Sequence, residues 1–136
     1  MEGRSQYILG ISCYYHDSAS ALLNNGKIIA AVQEERFTRI KHDKSFPYNA
    51  INYCFDEARI TPNDIDSVVY YDNDNLSLER MIATQIFCDG KSVNFEKYLE
   101  HWIRIKSNIW NVVSELFGRE IKIYRGIHHR SHAASA

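Results

Sequence analysis

The sequence predicts an α/β domain in which a mixed five-stranded sheet begins with a β-meander and is flanked by helices. A short apolar run at residues 7–12 predicts a buried strand, and a strong turn signal at residues 24–26 precedes another strand at residues 27–33. After residue 46, helical and strand-like periodicities alternate to the end of the chain. At 136 residues, 45% of them apolar and 24% charged, the chain is long enough for one domain with its own core.

The meander is predicted from three strands and one tight turn. Residues 7–12 form the first strand and residues 18–23, which are rich in small side chains, form the second. Asn24-Asn25-Gly26 predicts a hairpin turn, because Asn and Gly tolerate the positive φ angles that such turns require. Residues 27–33 then return as an antiparallel third strand.

The rest of the chain alternates between helices and strands. Pro47 suits a first helical turn, and residues 34–45 before it read as a charged loop or short helical turn. The predicted later elements are a helix with an apolar stripe at Ala50, Ile51, Tyr53, Cys54 and Ala58, a capped turn at 61–65, a strand at 67–71, a helix at 76–87, a long helix at 95–117 ended by Gly118, a strand at 121–124 and a final helical segment. The order β-β-β-α-β-α-β-α is that of one half of an actin- or hexokinase-like (ribonuclease H-like) domain, although other α/β layouts share much of it.

Charge and cysteine usage exclude several functional classes. A net charge of −1 argues against bulk electrostatic binding of nucleic acid. Cys13, Cys54 and Cys88 are odd in number and widely spaced, which favours reduced, mostly buried thiols over a disulfide framework or a CxxC metal site. The sequence lacks a membrane-spanning stretch and a signal-peptide core, and we expect a soluble, cytoplasmic protein.

The first segment with chemical potential is Tyr14-Tyr15-His16-Asp17-Ser18-Ala19-Ser20-Ala21, between the first two strands. Small side chains let a ligand approach the backbone, and His16 with Asp17 offers a proton-transfer or orienting pair. A hairpin whose Asp and Ser cap the turn explains the same spacing, and the spacing alone favours that interpretation.

The second segment covers residues 34–44 and concentrates basic side chains. Arg36, Arg39, Lys41, His42 and Lys44 lie within it, and such a cluster can grip a phosphate. A solvated charged loop is the equal alternative.

The third segment, His128-His129-Arg130-Ser131-His132, holds three of the six histidines of the chain. In a helix, His128 and His132 lie on one face, with Cβ atoms about 5–6 Å apart, so that both imidazoles can reach one divalent metal. A zinc-peptidase helix would need Glu beside the first histidine, where this chain has His129. The residues 72–75 follow a strand but lack the pattern of a calcium loop, and we interpret them as a solvated turn.

In combination, these segments resemble the N-terminal part of the O-carbamoyltransferases, a family that includes nodulation-factor and antibiotic carbamoyltransferases. The matching stretches are Gly10-Ile11-Ser12, His16-Asp17-Ser18-Ala19-Ser20-Ala21-Leu22-Leu23, Gly26-Lys27-Ile28, Glu34-Glu35-Arg36-Phe37-Thr38-Arg39-Ile40-Lys41-His42 and His128-His129-Arg130-Ser131-His132-Ala133-Ala134-Ser135-Ala136. Each stretch alone is weak, whereas their joint occurrence in this order is specific.

The resemblance implies a concrete chemistry. Family members have an actin-like domain, related to the tRNA threonylcarbamoyl-adenosine transferase, and a domain that makes carbamoyl-adenylate from carbamoyl phosphate and ATP. The actin-like domain transfers the carbamoyl group to a hydroxyl of a sugar or natural-product acceptor with a bound divalent metal, iron first, with zinc and manganese as alternatives. His128 and His132 match the metal ligands, His16 and Asp17 the catalytic segment, and Arg36, Lys41 and His42 the substrate or adenylate side.

The resemblance also sets expectations for completeness and partners. We expect residues 1–136 to be the N-terminal portion of the actin-like domain, inactive without the rest of that domain and the adenylate-forming domain in cis. The expected partners are a small-molecule acceptor and a second copy of the chain, without membrane or nucleic acid. Two other interpretations stay open: the tRNA-modifying relative, and a non-catalytic actin-like nucleotide-binding module in which the histidines are incidental.

Overall fold

The computed structural model describes residues 4–88, 95–104 and 108–134, without the side chains of His132 and Ala134. Its elements are β1 Tyr7–Ser12, β2 Ala19–Asn24, β3 Lys27–Gln33, α1 Glu35–Thr38, α2 Tyr48–Ala58, a 3-10 turn Pro62–Asp64, β4 Ile65–Tyr70, α3 Asp74–Phe87, α4 Phe95–Arg104, α5 Ile109–Phe117, β5 Lys122–Arg125 and α6 His128–Ala134. The described helices are too short or too polar to cross a membrane.

The five strands form one mixed sheet in the order β3-β2-β1-β4-β5. The first three strands pair antiparallel, whereas β4 is parallel to β1 and β5 is parallel to β4. The turn between β2 and β3 has φ of 49° at Asn25 and 79° at Gly26, as the hairpin prediction requires. The predicted fold class is therefore confirmed, including the initial meander.

The core lies on one face of the sheet. Leu9, Leu22 and Val68 on the strands are fully buried beneath the apolar sides of α2 and α5. Phe55 of α2 meets Phe117 of α5 edge-on, with ring centroids 6.5 Å apart. Burial of these side chains supplies most of the driving force for folding, at about 25 cal/mol per Å² of apolar surface.

Three details of the prediction need correction: the apolar stripe of α2, the long helix at 95–117 and the turn at 72–75. Tyr53 is 38% exposed, and Phe55 takes the expected place in the apolar stripe of α2. Residues 95–117 are described as the two helices α4 and α5, and residues 105–107 between them lie outside the described residues. Cys13 and Cys54 are buried and Cys88 is exposed, in agreement with the prediction of mostly buried thiols. The expected solvated turn at 72–75 instead starts α3: Asp72 and Asp74 are buried, and the Asn73 side chain accepts a hydrogen bond from the Leu76 amide.

The topology places three connections at one edge of the sheet. Because β1, β4 and β5 run parallel, their carboxyl ends, Ser12, Tyr70 and Arg125, lie at the same edge. In open α/β sheets, ligands bind beyond the carboxyl ends of the strands. The segments that follow these ends contain His16 and Asp17, Tyr71 and Asp72, and His128.

Candidate functional site at the carboxyl edge of the sheet

The loop between β1 and β2 is shaped by two residues in the left-handed region, Tyr14 at φ 69° and Asp17 at φ 47°. The Tyr14 amide donates to the Lys44 carbonyl at 2.8 Å, and the Ser18 amide donates to the Asp43 carbonyl at 2.7 Å. These two backbone bonds fasten the β1–β2 loop to the basic segment. The first and second sequence motifs therefore form one unit.

Asp17 links two imidazoles in this unit. Its Oδ2 atom lies 2.9 Å from Nδ1 of His16, and its Oδ1 atom lies 2.8 Å from Nδ1 of His42. The hydrogen bond from His42, followed by that from His16, holds the pKa of Asp17 below its usual value. Because a carboxylate only accepts, both histidines carry a proton on Nδ1 and present Nε2 outward.

The third motif meets this pair across a small cavity. The cavity has a volume of about 220 Å³, and Ser12, His16, Asp17, Tyr71, His128 and Ser131 line it. The Ser131 hydroxyl of α6 donates to the Tyr71 carbonyl at 3.0 Å, which anchors the helix beside the end of β4. The catalytic candidates His16 and Asp17 thus share a cavity with the metal-ligand candidate His128.

The ring of His128 is held by aromatic neighbours. Its centroid lies 5.4 Å from that of Tyr71 and 6.0 Å from that of Tyr15, both in edge-to-face arrangements. His132 lies one turn further along α6, but its side chain is outside the described residues. The helical spacing predicted for the pair is confirmed by the backbone, and their shared coordination stays a prediction.

The residues present fit a metal near His128. His128 offers a half-buried imidazole, a donor that divalent transition metals accept. In the described part of the chain, the buried Tyr71 hydroxyl has no hydrogen-bond partner, and Tyr71 lines the cavity beside His128. Burial raises the pKa of Tyr71, so that this hydroxyl stays protonated.

The remaining predicted residues lie at the periphery. Arg36 of α1 lines a separate groove of about 750 Å³ over the sheet face opposite the core. That groove shares Ser12, Tyr71 and Ser131 with the small cavity. Arg36 therefore lines a groove that is adjacent to the small cavity. Lys41 is exposed, and neither it nor Arg36 is among the described residues that line the small cavity. His42 is hydrogen-bonded to Asp17 and is not among the described residues that line the small cavity.

Glu34, Glu35 and Asp43 of the charged segment were not predicted as individual site residues. The carboxylate of Glu34 is 2% exposed and accepts hydrogen bonds from Asn49 and Ala50 at the start of α2. Glu35 accepts from the His42 amide at 2.9 Å. Ligand atoms of Asp17, Glu35 and His42 lie within 4.8 Å of one another and could hold a cation, although their hydrogen bonds already account for this arrangement.

Comparison with known proteins decides the family. Residues 7–136 match the family described as carbamoyltransferase N-terminus. The chain belongs to this family. The resemblance predicted from the motifs is therefore confirmed.

Two curated proteins are similar to the chain over most of its length. The chain is 42% identical over 139 residues to the uncharacterized protein sll1178 of Synechocystis sp., and 33% identical over 129 residues to the nodulation protein NolNO of Sinorhizobium fredii. These alignments cover 96% and 90% of this chain but only 23% and 17% of the two relatives. The chain thus spans about a fifth of the length of these two relatives.

A solved structure also resembles the chain. YeaZ from Pseudomonas aeruginosa superposes with a TM-score of 0.45 and 11% sequence identity, over 88% of this chain and 43% of YeaZ.

Proposed function

We propose that this chain forms part of an O-carbamoyltransferase that transfers a carbamoyl group from carbamoyl-adenylate to a hydroxyl of a sugar or natural-product acceptor. The observation that carries the proposal is the shared cavity of His16, Asp17 and His128, in a chain of the carbamoyltransferase family. The carbamoyl-adenylate would come from carbamoyl phosphate and ATP, in a further domain of the protein.

His16 is the proposed proton acceptor. Asp17 holds its Nδ1–H, which leaves the lone pair of Nε2 for the acceptor hydroxyl. As the proton of the acceptor hydroxyl moves to Nε2 of His16, the acceptor oxygen bonds to the carbamoyl carbon. The bond from that carbon to the adenylate oxygen breaks, and AMP leaves with the electron pair.

His128 and His132 are the proposed ligands of a divalent metal, with iron as the first choice and zinc or manganese as alternatives. A bound metal would supply Lewis-acid polarisation of a carbonyl or phosphate oxygen. The chain's own contribution is to fix the ring of His128 between Tyr15 and Tyr71, and to anchor α6 through Ser131.

Arg36 and Lys41 are proposed to bind phosphate oxygens of the donor, and His42 to orient Asp17. The groove beside Arg36 opens next to Ser12 and Ser131 of the small cavity, which supports a donor that extends along this face. A guanidinium can pair with two phosphate oxygens at once and offset the charge of the departing AMP.

The metal test uses the full-length protein and its His128→Ala/His132→Ala double variant, with metal content measured by mass spectrometry. His129→Ala is the matched control, because His129 is an exposed histidine of the same segment. We expect metal loss in the double variant and retention in the control. Equal metal content in all forms would reject the metal site and favour the non-catalytic module.

Activity is tested by the transfer of carbamoyl from carbamoyl phosphate and ATP to acceptors. We expect turnover by the full-length protein and none by residues 1–136 alone. Turnover on tRNA instead of small hydroxyl acceptors would favour the tRNA-modifying relative.

A further inference from the structure

The loop between β1 and β2 contains a backbone conformation that its sequence disfavours. Tyr14 has φ of 69°, in the left-handed region, where the Cβ atom of an L-residue is crowded by the following carbonyl oxygen. Such a conformation persists only where contacts from the surrounding structure hold it. His16 and Asp17 follow Tyr14 by two and three positions. Their placement therefore depends on the contacts that hold Tyr14.

Two segments that are distant in sequence hold the backbone of Tyr14. Its amide donates to the Lys44 carbonyl oxygen in the basic segment at 2.8 Å. Its carbonyl oxygen lies 3.3 Å from Nε2 of His101 on α4, 87 positions further along the chain. Because a carbonyl oxygen only accepts, His101 carries a proton on Nε2 and donates it. His101 therefore holds the peptide group that joins Tyr14 to Tyr15.

Helix α4 is itself fastened to the sheet through α3. The indole N–H of Trp102, next to His101, donates to the Asp74 carbonyl at the start of α3, at 3.0 Å. Asp74 is fully buried, and α3 begins four residues after the end of β4. The half-buried ring of His101 thus belongs to a helix whose position the fold determines.

The position of the loop decides whether Asp17 can accept from two histidines. Asp17 has a positive φ of its own, 47°, and its Oδ1 atom meets Nδ1 of His42 in the basic segment at 2.8 Å. Without a donor to its carbonyl, Tyr14 would be free to return to a negative φ, and the residues after it would shift. Asp17 would then move relative to His42, and the carboxylate that orients His16 would be displaced.

We infer that His101 is a positioning residue for the proposed transfer reaction. It holds the left-handed conformation of Tyr14 and thereby keeps His16 and Asp17 in place. His101 is not among the described residues that line the small cavity, so it acts through the loop. The inference rests on the proposed function for the role of His16, but the geometry that it asserts can be measured without turnover.

Replacements of His101 separate its hydrogen bond from its packing. His101→Gln keeps an N–H donor at about the position of Nε2, whereas His101→Phe keeps an aromatic ring and removes the donor. His101→Asn, whose amide is too short to reach that position, repeats the test with a polar side chain. Glu100→Ala is the matched control, because it changes an exposed side chain of the same helix. Thermal unfolding of each variant checks that the fold is kept.

The geometry is tested by nitrogen-15 NMR of the full-length protein with labelled histidine, at one pH for all forms. In the wild type, His101→Gln and Glu100→Ala, we expect the rings of His16 and His42 to carry a proton on Nδ1, as their bonds to Asp17 require. In His101→Phe and His101→Asn we expect mixed tautomers of His42. A lower stability alone would not alter the tautomer of a histidine in the folded protein.

A kinetic measurement examines the consequence for transfer. We expect His101→Phe to lower kcat of carbamoyl transfer by about 100-fold, the effect that a misplacement of about 1 Å can have, and His101→Gln to restore it. Consumption of ATP and carbamoyl phosphate without acceptor should stay unchanged, because the proposed function assigns that reaction to a further domain.

Failure of this inference and failure of the proposed function give different results. If the wild type transfers no carbamoyl group but the His42 tautomer changes in His101→Phe and is kept in His101→Gln, the proposed function fails and the hold of His101 on the loop stands. If the two donor-free variants keep the wild-type ring signals, if His101→Gln fails to restore them, or if Glu100→Ala has the same effect, the inference is overturned.

Discussion

A hydrogen bond of 2.8 Å joins Oδ1 of Asp17 to Nδ1 of His42, two residues that lie 25 positions apart in the chain. The second oxygen of Asp17 accepts from His16 at 2.9 Å. One carboxylate therefore sets the orientation of two histidines, one in the β1–β2 loop and one in the basic segment. The orientation of His16, the proposed proton acceptor, therefore depends on a carboxylate that is also hydrogen-bonded to the second motif.

Replacement of Asp17 by Asn tests this relationship. An amide has one accepting oxygen and a donating NH₂ group, so its NH₂ group faces one of the two Nδ1–H donors and that hydrogen bond is lost. We expect Asp17→Asn to lower carbamoyl transfer by about 10²–10⁴-fold, the usual contribution of a positioned acid–base group, with nitrogen NMR showing a mixed His16 tautomer. Asp56→Asn, an exposed carboxylate on α2, is the control. Wild-type transfer in Asp17→Asn would remove Asp17 from the mechanism.

Glu34 provides a prediction on stability. Its carboxylate accepts from the amide and side chain of Asn49, at 3.1 and 2.6 Å, and from the amide of Ala50 at 2.8 Å. The N–H groups in the first turn of α2 have no intrahelical partners, and a negative charge stabilises them. Glu34→Gln removes the charge and turns one acceptor into a donor. We expect the free energy of unfolding to fall by about 1–3 kcal/mol in urea denaturation.

The matched control for Glu34 is Glu120→Gln, which changes an exposed carboxylate. We expect its free energy of unfolding to lie within about 0.5 kcal/mol of that of the wild type. Equal stability of both variants would show that the contacts of Glu34 add nothing to the folded state.

The strands were predictable because local chemistry determines them. Apolar runs predict β1 and β3. The tight turn between β2 and β3 requires positive φ angles, which Asn25 and Gly26 adopt. The buried face of α2 was predicted with one residue wrong. Phe55 lies four residues after the buried Ile51 and follows the helical spacing of the buried side, whereas Tyr53 falls outside that spacing and is exposed.

The site was predictable only in part. His16, Asp17 and His128 could be chosen from motifs, but their common cavity results from parallel pairing of β1, β4 and β5, which no local pattern contains. Glu34 lies in a run of charges, and its burial depends on the start of α2, which is distant in sequence. Local periodicity cannot report such non-local contacts.

Asp43 gives a prediction on pH. Hydrogen bonds from the Ser45 hydroxyl at 2.6 Å and amide at 2.9 Å, and from the Thr38 hydroxyl at 2.7 Å, lower the pKa of Asp43. The pKa of Asp43 in the folded protein lies below its value of about 3.9 in the unfolded chain. As pH falls, the carboxyl is therefore protonated in the unfolded chain before it is protonated in the folded protein. The stability from Asp43 is therefore fully present above about pH 5 and is lost as pH falls through the folded pKa.

The measurement compares the wild type with Asp43→Asn in urea denaturation between about pH 3 and pH 7. We expect the free energy of unfolding of Asp43→Asn to be about 1–2 kcal/mol lower than that of the wild type at neutral pH, because the variant lacks the ionised acceptor. In acid, where the wild-type carboxyl is protonated, we expect a smaller difference. A difference that is constant over the whole range would contradict the assignment. Asp56→Asn again serves as the control.

Gly126 provides the last prediction, because it controls how closely α6 approaches the sheet. Its amide donates to the Tyr70 carbonyl at 2.7 Å. A Cβ at this position would lie 3.2 Å from the Tyr70 oxygen and 3.3 Å from the Tyr71 oxygen, both rigid backbone atoms. Gly126→Ala must therefore move the start of α6 outward, together with His128 and the Ser131–Tyr71 hydrogen bond.

We expect Gly126→Ala to weaken metal binding of the full-length protein by about 10–100-fold, the usual effect of disturbing the support of a ligand. Gly10→Ala is the matched control, since a Cβ there would make an ordinary contact at 3.6 Å with the Ala21 oxygen. Metal titration and thermal unfolding of both variants separate a local shift of His128 from general destabilisation. If Gly126→Ala binds metal as tightly as Gly10→Ala, the position of His128 does not depend on this close approach, and metal coordination through α6 would need another explanation.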